Sequence, residues 1–149
     1  FMKKIWILVA NQSEARIYSC ERVTGNLMLI DKLANEEGSS HPRDLTSDAP
    51  GRAFDSFGSG RHLMEPSTGV KEEQRRRFVK EMVERLQTGL VKNAFDKLVF
   101  LAAPAVLGVI RKTLTADLAN TVIKEIPKDV IGQDVDKISL QLTRAVALR

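Results

Sequence analysis

The chain reads as one α/β domain, a mixed central sheet of about five strands with about three helices. Three observations predict it. Ile5–Ala10 is continuously apolar and rich in β-branched residues, the pattern of a strand buried on both faces. Apolar residues recur at every fourth position within Val70–Lys92, the spacing of an amphipathic helix. Strands and helices then interleave to the end of the chain, giving the order β-β-β-loop-α-β-α-β-α. At 149 residues this is the ordinary size of a single domain, and no internal repeat or second core divides it.

Composition narrows the function classes. The apolar fraction of 43% and charged fraction of 28% exclude wholesale disorder, a collagen-like chain and a disulfide-stapled miniprotein. Aromatics make up 5%, which argues against a sheet lined with base-stacking rings. The net charge of +4 permits nucleic-acid or ribosome contact without demanding it. The single cysteine, Cys20, excludes an intrachain disulfide and reads as a small buried thiol in a strand.

Each element has its own reason. Ile5–Ala10 follows Lys3 and Lys4, as a signal peptide would, but it breaks at Asn11, Gln12, Ser13 and Glu14, too soon for an h-region. No segment approaches the ~20 apolar residues of a membrane helix, so the expected compartment is the cytoplasm. Phe1 precedes Met2 and is left out of the functional reading. In Glu14–Cys20, Ala15, Ile17 and Ser19 face one way and Arg16 and Tyr18 the other. Asn11–Ser13 and Thr24-Gly25-Asn26 supply turns, and Leu27–Leu33 completes an antiparallel meander.

Residues 35–69 differ from the rest. They hold six acidic and three basic side chains, five glycines, three prolines and six serines, without periodicity. A structureless stretch of this length inside a domain is usually functional or mobile. Val70–Lys92 then returns to helical order. Phe78, Met82, Leu86 and Leu90 form its stripe with Val79 and Val83 beside them, and Ser67 or Thr68 is placed to cap its start. Its seven basic residues against four acidic leave a net +3. The pairs Glu72–Arg76, Glu73–Arg77 and Glu81–Arg85 are spaced to meet on its surface. Asp96–Ala103 is a buried strand. Pro104 opens a helix with Val106, Leu107, Ile110 and Leu114 inward. Thr121–Ile126 is the last strand, and Val135–Ala147 is the last helix, with Ile138, Leu142 and Ala145 facing the core.

The densest polar cluster lies between Asp48 and Pro66. Gly51, Gly58 and Gly60 free the backbone to approach a phosphate, Arg52 and Arg61 are suited to clamp an anion, and a basic helix follows. The same residues also fit an extended surface loop with local Asp–Arg pairs. No Gly-Lys-Ser/Thr follows, and Leu63 stands where a dinucleotide fingerprint needs its third glycine. His41, His62, Asp44, Asp48 and Asp55 could supply metal ligands, but no H-x-x-x-H or H-E-x-x-H spacing exists. No metal or cofactor is expected. Ser56 or Ser59 with His62 and Asp55 holds the parts of a hydrolase triad, in a segment too short to align them. The first strand carries no carboxylate for a two-metal nuclease.

The run Asp48-Ala-Pro-Gly51-Arg52-Ala-Phe54-Asp55-Ser56, then Gly60-Arg61-His62-Leu63-Met64-Glu65-Pro66, then Lys71-Glu72 and Phe78, resembles the host attachment protein family. Phe95–Pro104 with Leu107, Gly108 and Arg111, and Glu125–Asp129, match the same pattern, so the resemblance covers nearly the whole chain. That family looks like a bacterial offshoot of the archaeo-eukaryotic release factors and Pelota, and the resemblance implies their RNase H-like middle-domain fold. In release factors a Gly-Gly-Gln loop precedes a long basic helix. Here Gly58–Pro66 holds that place with no glutamine between Gly51 and Gly69, so the resemblance implies a Pelota-like, non-catalytic role.

The leading expectation is therefore a translation-associated domain binding the ribosome or structured RNA. Its loop residues would be Arg43, Asp48, Arg52, Asp55, Ser56, Gly58, Gly60, Arg61, His62 and Glu65, and its helix residues Lys71, Arg75 and Arg76. No membrane insertion and no DNA sequence specificity are expected. Host-surface attachment is the alternative, and a hydrolase using the loop is the third reading.

Overall fold

A computed structural model describes residues 4–22, 25–36 and 68–147. The element order is β1 (Ile5–Ala10), β2 (Glu14–Cys20), β3 (Met28–Ala34), α1 (Thr68–Val91), β4 (Lys97–Ala102), α2 (Pro104–Thr113), α3 (Ala116–Ala119), β5 (Val122–Ile126) and α4 (Val135–Ala147). The five strands form one sheet in the order β3-β2-β1-β4-β5. The β1–β2 and β2–β3 pairs are antiparallel, whereas β1–β4 and β4–β5 are parallel. Only β2 therefore runs against the other four.

This is the mixed five-stranded α/β domain expected from the sequence, with four helices among the described residues in place of three. The addition is α3, a single turn whose N-cap Thr115 accepts a hydrogen bond from Leu118 N at 3.2 Å. A turn that short carries no periodicity. Element ends differ from expectation by one or two residues. The long helix already begins at Thr68, two residues inside the stretch assigned to the loop.

The central strands explain the apolar runs. All six residues of β1 are buried, because helices cover both faces of the sheet. On one face α1, α2 and α3 bring Phe78, Val79, Met82, Leu86, Val106, Ile110 and Leu118 onto Leu8, Ile17 and Phe100. On the other, α4 brings Ile138 and Leu142 onto Ile7, Val9, Val99 and Leu101, with Ala145 packed beside them. Cys20 belongs to this second cluster, and burial pushes its thiol up from the ordinary value.

The outer strands are more exposed, and each carries a bulge. On β3, Asp31 pairs with Ile17 and Leu29 with Tyr18, so Ile30 is the extra residue. On β5, Val122 pairs with Leu98 and Lys124 with Val99, so Ile123 is the extra residue. Both isoleucines are exposed, at 41% and 48%.

One end of the sheet is closed by apolar packing. The Trp6 and Phe95 rings stack with centroids 4.7 Å apart, and Gly89 of α1 lies directly against Trp6. A Cβ on Gly89 would come within 2.5 Å of the indole, so glycine is what lets helix and ring meet. The chain leaves α1 through Asn93 in the left-handed region (φ 58°). Asn93 N donates to Leu90 O and Ala94 N to Gly89 O, which closes the helix end as a Schellman motif.

Candidate functional site

The carboxyl ends of β1, β3, β4 and β5 all lie along one edge, since these four strands run the same way. The C-terminal half of α1 packs at the start of β1, through Gly89 and Trp6, so α1 runs antiparallel to β1 and begins at the carboxyl edge. Its 24 residues span ~36 Å, against ~20 Å for a six-residue strand, so its first turns reach past that edge. Because α2 follows β4 directly, it also begins there. In open α/β sheets this edge is where ligands bind.

The edge is polar and well ordered by hydrogen bonds. Asn11 Oδ1 accepts from Ser13 N and Glu14 N at 2.8 and 3.0 Å, which shapes the turn after β1. Its Nδ2 donates to the Asp129 carboxylate at 3.2–3.3 Å, tying β1 to the segment after β5. Asp129 Oδ1 in turn accepts from Ile131 N at 3.1 Å. Asn35 is the buried polar residue of the described core, and its Nδ2 donates to Gln12 O at 2.8 Å. Beside it a hollow of about 430 Å³ is lined by Ala34, Asn35, Glu36, Arg77, Phe78 and Glu81.

Lys71, Arg75 and Arg76, the expected helix residues, lie on the first turns of α1. Arg75 precedes Phe78 and Val79 by three and four residues, so it continues the core-facing stripe, and Lys71 lies one turn before it. Arg76 points elsewhere. Its guanidinium pairs with Glu73, not with Glu72 as the spacing suggested, and Arg77 reaches the same carboxylate at 3.4 Å. The hydrogen bond from Arg76 holds the Glu73 carboxyl below its usual range. Arg85 pairs with Asp31 on β3, not with Glu81, because it lies on the flank of α1 that faces that strand. Arg75 forms none of these pairs, and its Nε is shut off from solvent with no hydrogen-bond partner among the described residues.

The ten loop residues of the expected site, Arg43, Asp48, Arg52, Asp55, Ser56, Gly58, Gly60, Arg61, His62 and Glu65, lie outside the described residues, as do Ser59 and His41. The described flanks of that segment, Glu36 and Thr68, are both at the carboxyl edge. Among the described residues no three His, Cys, Asp or Glu side chains come together to hold a metal. Nor is any described helix long and apolar enough to cross a membrane. Sequence reasoning placed Asn11 in a turn but missed its bond to Asp129, and it missed Asn35. An isolated asparagine carries no spacing signal.

A family model described as "protein required for attachment to host cells" matches residues 6–142. The chain belongs to this family. The match spans both faces of the sheet and the nine elements of the described residues, except the ends of the first and last. An uncharacterized protein of Rickettsia prowazekii (strain Madrid E) is 26% identical over 124 residues, covering 76% of this chain and 83% of that protein.

Proposed function

We propose that this host attachment family member is a binding protein acting in attachment, the alternative weighed from the sequence, and that the carboxyl edge is its contact surface. The observation that carries the reading is the family match across 6–142. The edge supports it: Asn11, Asn35 and Asp129 fix a polar rim, and Lys71 and Arg75 stand over it. The test is surface labelling of intact cells, followed by adhesion to host cells. The protein is expected to label from outside, and Lys71→Ala with Arg75→Ala to lower adhesion several-fold. Labelling confined to the cell interior overturns a direct attachment role.

A second reading, ribosome or structured-RNA binding, is favoured by one observation. Lys71 and Arg75 are cations near a helix start with no carboxylate in its first turn. A sheet in which β2 alone opposes the other strands supports the RNase H-like assignment behind it. The pairing of Arg76 and Arg77 with Glu73 weakens it, because two of the basic side chains already have a counter-charge. Co-sedimentation with ribosomes at low salt that survives Arg61→Ala with Arg75→Ala rules this reading out.

A further inference from the structure

We draw no further inference here: the strongest candidate, the exposed apolar stretch Met28–Ile30 on the outer strand β3 beside a hollow of about 770 Å³ at the amino end of the sheet, carries nothing because nothing in the structure shows what covers it.

Discussion

The two ends of the sheet are built from different materials. At the amino end, Trp6, Phe95 and Gly89 close the structure by contact of apolar surfaces, and Asp96 joins Lys4 through hydrogen bonds at 2.8 and 3.1 Å. At the carboxyl end, Asn11, Asn35 and Asp129 form a polar rim on which two helices begin. Both ends belong to the same strands, and β1 is buried along its whole length between them. The difference shows a division of labour. Apolar contact closes one end, and hydrogen bonds between side chains and turns tie the other together.

The strongest way to break that division is Trp6→Ala. It removes the ring that both Gly89 and Phe95 pack against, and about 3–5 kcal/mol of stability should go with it in chemical denaturation. Asn35→Ala attacks the other end. It takes from Gln12 O its side-chain donor in a half-buried place, for a loss of about 0.5–1.5 kcal/mol. A loss as large as that of Trp6→Ala would mean that the polar rim shares the work of cohesion.

Two glycines sharpen the contrast with opposite signs. A methyl on Gly89 meets the indole, and overpacking of about 1–3 kcal/mol outweighs the helix-propensity gain of up to ~1 kcal/mol. A methyl on Gly108 in α2 meets nothing within 4 Å, so Gly108→Ala should stabilise by roughly 0.5–1 kcal/mol. Thermal melts of the two variants should move in opposite directions. The smallest effect concerns Glu73. Its carboxyl lies below the ordinary value because Arg76 donates to it, so its contribution is complete above pH ~4.3 and fades as pH falls through the lower folded value. In Arg76→Gln the Glu73 pKa measured by NMR should return upward.

Where apolar periodicity was strong, the fold could be read from the residues. The unbroken run of β1 and the four-residue spacing from Phe78 to Leu90 state their burial directly. Where structure depends on one long-range partner, the residues were silent. Nothing near Arg85 indicates that it will choose Asp31, fifty-four positions away, over Glu81 on its own helix. The same holds for Asn11 and Asp129, which lie 118 residues apart. On the site, the basic start of α1 was legible from charge. The shut-off Nε of Arg75 was not, because it follows from Arg76, Arg77 and Arg85 taking the carboxylates while Arg75 pairs with none among the described residues.

The bulges at Ile30 and Ile123 have a consequence for the protein at high concentration. A flat outer strand is a template on which another chain can lay a strand, and then another. Each outer strand here is kinked at one residue, with charged neighbours Asp31 and Lys32 on one side and Lys124 and Glu125 on the other. The interrupted ladders work against fibrous growth even though three apolar side chains, Met28 to Ile30, are exposed on one of them.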